Sequence, residues 1–134
     1  MAGSAGLERP DPIGEILQSA LDDWVMATEV WDIVTRIYSL DIESTRIFCE
    51  GLTSTLVGDG LMIPGRVSAA GFEPFASDTP GNLERLGRAW RPVDKLPEFG
   101  EVAWFAITEK GRNLASSIGR GNSRWPSIPP QVPY

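Results

Sequence analysis

The sequence predicts an α+β domain with three N-terminal helices, a small antiparallel sheet interrupted by a long insertion, and a C-terminal helix. Three observations carry this. Between residues 11 and 60, apolar residues recur three and four positions apart in three successive runs, the spacing of one helix face. Leu61–Ile63 and Val102–Ile107 are short apolar runs, the first stopped by Pro64-Gly65 and the second preceded by Gly100, as strands are. A last helical stripe follows Thr108. The 134 residues, 42% hydrophobic and 22% charged, fit one globular domain.

Residues 1–10 read as a flexible leader, and the domain is expected over 11–119. Asp11 is placed to cap the first helix, with Pro12 at its first position. Ile13, Ile16, Leu17, Ala20, Leu21 and Trp24 form its stripe. Trp24-Val25-Met26 follows as a short strand of one or two bridges. Thr28 is the candidate cap of the second helix, with Glu29 in the first turn and Val30, Ile33, Val34, Ile37 and Tyr38 on its inner face. Ser39 to Asp41 leaves room only for a turn between packed helices. Asp41 or Ser44 caps the third helix, whose buried face is Thr45, Phe48, Cys49, Leu52 and Leu56. Gly58-Asp59-Gly60 ends it.

Leu61–Ile63 is then a strand that Pro64-Gly65 stops. The insertion, 66–100, holds a short helix opened by Thr79-Pro80, carrying Leu83, Leu86 and Trp90, and closed by Arg91-Pro92. Val102–Ile107 is almost wholly apolar, so both its faces are expected to be covered. Thr108 caps the last helix, with Leu114, Ala115 and Ile118 inward and Gly119 at its end. Residues 120–134 form a tail rich in proline and glycine, with Trp125 tucking it onto the domain. Leu61–Ile63 is expected to pair antiparallel with Val102–Ile107. Ile16, Leu17, Leu21, Val34, Phe48, Leu52, Leu56 and Trp104 are the expected core. Trp31 falls off the main stripe of its helix.

The order of these elements resembles the winged helix-turn-helix superfamily over residues 12–118. Two local features carry the resemblance. One is the third helix running through Leu52, Leu56 and Gly60 into Leu61-Met62-Ile63. The other is Ile107-Thr108-Glu109-Lys110-Gly111-Arg112, similar to the Leu-Thr-x-x-Gly-Arg step from the last wing strand into the final helix of bacterial regulators. The resemblance implies duplex DNA as ligand, the third helix in the major groove, and contacts from Ser44 and Arg46. The 34 residues between Gly65 and Gly100 make an enlarged wing, whose Arg85, Arg88 and Arg91 are the alternative nucleic-acid contacts.

Charge opposes that ligand. Residues 1–60 hold 11 acids and 3 bases, a net −8, whereas residues 61–134 hold 7 acids and 9 bases, a net +2. Arg46 is the only base on the would-be reading helix, between Glu43 and Glu50. Duplex affinity rests on neutralising phosphates, so nucleic acid is disfavoured. Catalysis has no constellation to rest on. There is no histidine for a triad or a metal site, and Cys49 lies on an inner helix face. Gly-x-Ser-x-Gly, Walker A and Gly-x-Gly-x-x-Gly patterns are absent. No enzyme, cofactor or metal is expected.

The densest acidic group is Asp22, Asp23, Glu29 and Asp32. Asp22 and Asp23 close a helix, where the dipole disfavours anions, so local stability does not explain them. The expected function is therefore a non-catalytic protein-binding module facing a partner with a basic surface, such as an immunity-type inhibitor of a basic toxin. A DNA-binding regulator is the alternative. The sequence leaves a homodimer open. No signal-like or membrane-spanning run is seen, and a lone cysteine suits a reducing compartment, so the cytoplasm is the expected location.

Overall fold

The computed structural model describes residues 11–121, with side chains through Ile118. The leader 1–10 and, in the tail, residues 122–134 with Trp125 lie outside the described residues. Helix α1 spans Pro12–Asp22 and ends where the chain extends into β1, Val25–Met26. Asp11 caps α1, its carboxylate accepting from the Ile13 N–H at 3.1 Å. Helix α2, Ala27–Tyr38, starts one residue before Thr28. Glu29 accepts from the Met26 N–H at 3.2 Å and performs the capping assigned to Thr28. The Thr28 hydroxyl instead donates to the Pro97 carbonyl at 2.9 Å, tying a distant loop to α2.

Ser39 sits in the left-handed region and closes α2. Helix α3, Ile42–Gly58, is capped by Asp41, which accepts from the Ser44 N–H at 2.7 Å. Gly60, at φ +75°, turns the chain into β2. Strand β2 runs over Met62–Ser68, straight through Pro64-Gly65, and hairpins into β3, Gly71–Pro74. The expected stop at Pro64-Gly65 is thus overturned. The Pro64 carbonyl still accepts, from the Phe75 N–H at 3.1 Å. Gly65 is required for close approach: a Cβ there would run into the Glu73 carbonyl and lie 2.7 Å from Phe72 Cζ.

Helix α4, Thr79–Trp90, opens at Thr79-Pro80 as expected and is capped by Asp78, which accepts from the Gly81 N–H at 2.9 Å. Strand β4 begins at Trp104, two residues later than the sequence suggested, and ends at Ile107 as expected. Val102, at φ +72°, belongs to the preceding turn, where the Ala103 N–H donates to the Glu101 carbonyl at 2.9 Å. Helix α5 spans Glu109–Gly121.

The four strands form one antiparallel sheet in the order β1-β4-β2-β3. Met62 faces Ile107 and Val25 faces Phe105, so Leu61–Ile63 does pair with the Val102–Ile107 segment, with β1 on its other side. The inner sheet face, with Val25, Met62 and Phe105, joins Ile16, Leu17, Val34, Leu52 and Leu56 in a single core. Three expected core residues are only half-buried: Leu21, Phe48 and Trp104. Leu21 and Phe48 pack along the margin of the core. Trp104 lies on the opposite sheet face, because side chains alternate along a strand and Phe105 takes the inward position. Leu114 is also exposed, one position off the inward Ala115. Trp31, expected off the stripe, is buried at 6% exposure.

The insertion folds back onto α3. The α3–α4 packing is the most extensive between any two elements among the described residues. Leu86 and Trp90 are fully buried there, and the Trp90 Nε1–H donates to the Thr53 hydroxyl at 3.0 Å.

Candidate functional site

The four acids do not share one cavity. Glu29 and Asp32 line an open hollow of about 350 Å³ with Glu15, Thr28, Arg36 and Leu96. Arg36 bridges to Glu15 at 3.0 Å in this lining. That hydrogen bond, with the charges of Glu15 and Asp32, pushes the guanidinium pKa further up against its partial burial. Asp22 and Asp23 are exposed and are not part of this lining. Asp23 accepts from the Trp24 N–H at 2.7 Å. Glu29 and Asp23 therefore serve the local backbone, while Asp22 and Asp32 make no hydrogen bond through their carboxylates among the described residues.

The alternative nucleic-acid residues are scattered. Ser44 is exposed near the start of α3. Arg46 lies between two carboxylates, 4.0 Å from Glu43 and 3.9 Å from Glu50, with only 19% of its side chain exposed. Helix α4 shields this side of α3, and Gly87 lets it approach the Glu50 carboxylate. The exposed residues of α3 include Ile42, Glu43, Ile47, Gly51 and Thr55, and none is basic. Arg85 stacks its guanidinium 3.6 Å from the Phe75 ring centroid. Arg85 and Arg88 line an open hollow of about 520 Å³ with Ser77, Gly81, Glu84 and Ala89, and Arg91 lies outside it.

The clearest surface is one the sequence reading did not assemble. Among the described residues, the helices cover only one side of the sheet. The register puts Met26 and Trp104, Ala106 and Ile63, and Val67 and Phe72 together on the other side. Trp24 stacks on Phe72 with centroids 6.0 Å apart. Phe99, 80% exposed, meets Trp104 edge-on at 5.2 Å. Trp24 at 38% and Ile63 at 40% are open to solvent as well. None of these side chains packs against the core. Carboxylates flank the aromatics: Asp22 and Asp23 precede Trp24, and Glu98 and Glu101 bracket Phe99, all four exposed.

The signal was present in the sequence. Both faces of Val102–Ile107 were expected to be covered, but alternation sends only Phe105 inward and leaves Trp104 on the outer face, and Phe72 lies in a segment too rich in glycine and proline for periodicity to place. The apolar character of the strand masked the asymmetry of its two faces.

Cys49 is fully buried, and burial pushes its thiol up to about 12, which suits packing and not nucleophilic chemistry. No three His, Cys, Asp or Glu side chains among the described residues gather closely enough to hold a metal ion. No helix among them is long and apolar enough to cross a membrane. Searches against protein-family models, curated proteins and solved structures found no match to the chain.

Proposed function

We propose that the chain is a non-catalytic protein-binding module whose partner presents a basic surface. The observation that carries this is the outer sheet face: Trp24, Phe72, Phe99 and Trp104 beside the carboxylates of Asp22, Asp23, Glu98 and Glu101. Exposed aromatic clusters are the anchors of protein interfaces, and flanking charge steers the encounter. An immunity-type inhibitor of a basic toxin is one form such a module takes, with the acidic flank meeting the cationic surface of its target.

The second reading is a DNA-binding regulator of winged-helix type. Its support is the element order and the central position of β4 between β1 and β2. That is a fold analogy. Against it stand the packing of α4 on α3 and the pairing of Arg46 with Glu43 and Glu50.

The test starts with affinity capture from the source cell and measures association kinetics for the captured partner. Phe99→Ser removes a side chain that is 80% exposed, so the fold should tolerate it. It should weaken binding by about tenfold or more, as interface aromatics do. Asp22→Asn with Asp23→Asn should slow association and flatten its salt dependence. A complex indifferent to all three substitutions rules this face out. A partner that is duplex DNA returns the regulator reading.

A further inference from the structure

Phe99, at 80%, is the most exposed large apolar side chain among the described residues, yet it is firmly held. The Glu101 N–H donates to the Glu98 carbonyl at 2.9 Å, closing a turn over residues 98–101 with Phe99 at its apex. Gly100, at φ +80°, stands where a type II turn takes glycine. The Glu98 N–H donates to the Glu101 carboxylate at 2.9 Å, a second closure of the same turn. The Thr28 hydroxyl ties the start of the turn to α2 through the Pro97 and Glu98 carbonyls, at 2.9 and 3.3 Å. An apolar ring presented this way adds nothing to the core. It is ordered in advance for a contact outside the chain, which lowers the entropy lost on binding.

The ring next to it defines the shape of that contact. Phe99 and Trp104 meet at 82°, so their planes form a corner with an aromatic face on each wall. Aromatic faces attract cations. The local charge has the same preference: Asp94, Glu98 and Glu101 stand against Lys95 between residues 94 and 101, three acids and one base, a net −2. Glu98 and Glu101 are exposed on either side of the ring. Glu101 gives one carboxylate oxygen to the turn and keeps the other for a further donor. The second aromatic pair is built differently. Trp24 and Phe72 lie at 30° to each other, so each ring shields a face of the other.

A planar cation fits this corner better than a compact one. A guanidinium stacks flat on an aromatic face and keeps its edge donors for carboxylates. A lysine ammonium is a strongly hydrated point charge with no plane to stack. A second copy of the chain is a poor occupant, because the same face would bring its own carboxylates against these, and like charges across an interface oppose association.

We infer that the corner between Phe99 and Trp104 takes the guanidinium of an arginine side chain presented by the basic partner, stacked on the rings and paired with Glu98 and Glu101. The inference rests on the reading of the outer sheet face as a docking surface, and it names the group that anchors the partner there.

The whole chain labelled with 5-fluorotryptophan tests it, titrated with an acetylated, amidated peptide of three Arg-Gly repeats. The five tryptophan resonances are assigned by single Trp→Phe variants. The Trp104 resonance should shift saturably and ahead of Trp24, while Trp31 and Trp90, buried in the core, stay fixed. The lysine counterpart carries the same charge, and the citrulline counterpart the same planar shape without charge. Each should bind at least about twofold more weakly than the arginine peptide, on the scale of an exposed cation–π contact. Phe99→Leu keeps an apolar side chain and removes the ring, so it should abolish the preference for arginine over lysine. Glu98→Gln with Glu101→Gln keeps an acceptor for the Glu98 N–H and removes both charges. It should weaken the arginine peptide by about two- to fivefold, the worth of exposed ion pairs, and flatten its salt dependence. Unmoved Trp31 and Trp90 resonances confirm that both variants keep the fold. Equal binding of the arginine and lysine peptides overturns the inference, as does a Trp24 response with Trp104 unmoved, or no saturable shift. So does a Trp104 resonance that moves with protein concentration alone, which means that a second copy covers the corner. Failure of the partner reading looks different: the corner would still prefer the arginine peptide, while the captured complex ignored Phe99→Ser.

Discussion

The indole N–H of Trp90 donates to the hydroxyl of Thr53 across 3.0 Å, with both side chains fully buried. Thr53 in turn donates to the Cys49 carbonyl one turn back in α3 at 2.9 Å. This pair fixes the insertion against the third helix. It makes α4 part of the domain rather than an appendage, and it covers a flank of α3 that would otherwise be open.

The first prediction follows from that pair. Trp90→Ala should destabilise the fold by about 3–5 kcal/mol, the range for emptying a buried aromatic site. Trp90→Phe keeps most of the volume and removes the donor, so its cost should fall to about 0.5–1.5 kcal/mol, the net worth of one hydrogen bond. Urea titration measures both. In a double-mutant cycle with Thr53→Val, the Trp90→Phe cost should largely vanish, because the hydroxyl is already gone.

A second prediction sets two glycines against each other. A Cβ on Gly111 would run into the Leu61 carbonyl and lie 2.8 Å from Ile107 Cγ1. Gly111 is also the residue whose N–H donates to the Thr108 hydroxyl at 3.0 Å, at the start of α5. Gly111→Ala should therefore cost about 1–3 kcal/mol through overpacking. Gly51 lies mid-helix in α3, and a Cβ there meets nothing within 4 Å. Gly51→Ala should stabilise by up to about 1 kcal/mol, the helix-propensity difference. Thermal melts of the two variants should shift in opposite directions.

The step from Ile107 to Arg112 shows what was legible in the sequence. Thr108 caps α5 and also donates to the Gly60 and Leu61 carbonyls at 2.7 and 3.0 Å, so one hydroxyl joins the ends of three elements. Helix stripes, the Asp11 and Asp41 caps and the pairing of β2 with β4 were readable because each depends on nearby residues. Strand β2 beyond Ile63 was not readable. Pro64 and Gly65 are stop signals locally, and only the neighbouring β3 and Phe72 give Gly65 its purpose. The outer aromatic face was hidden for a related reason. Trp24, Phe72, Phe99 and Trp104 come from four separate segments, and a strand's inward side is settled by the helices that pack on it. The acidic group was visible as composition, yet its division between the α2 hollow and the edge of Trp24 needed coordinates.

The third prediction concerns Cys49. Its thiol is held up to about 12 by burial, while in the unfolded chain a cysteine titrates near 8.5. Below about pH 8.5 both states keep the proton, and the buried neutral thiol contributes its full share. As pH rises toward 12, the unfolded chain releases a proton that the folded chain retains, so stability falls. The stability difference between the native chain and Cys49→Ala should narrow over that alkaline window. At neutral pH, a thiol reagent should label no cysteine in the folded protein and one in urea.

The last prediction concerns duplex DNA. Of the five residues that the regulator reading requires, Arg46 is tied between Glu43 and Glu50 and is largely covered. Arg91 lies outside the hollow that Arg85 and Arg88 line. Arg85, whose guanidinium also stacks on Phe75, and Arg88 are then the two of the five placed to meet phosphate together, and Glu84 shares their hollow. Each phosphate contact contributes roughly −0.9 to the slope of log affinity against log salt. Two contacts set that slope near −2, shallow beside the value for a true operator binder. Affinity for random duplex should sit at or below the weak end of the non-specific range, about 10⁻⁴ M at physiological salt. Arg85→Ala with Arg88→Ala should flatten the slope toward zero, while Arg46→Ala should leave it unchanged, because that guanidinium faces carboxylates. Fluorescence anisotropy across a salt series measures all three. Micromolar affinity with a steep slope that Arg46→Ala reduces would show that α3 reads DNA despite the helix packed against it.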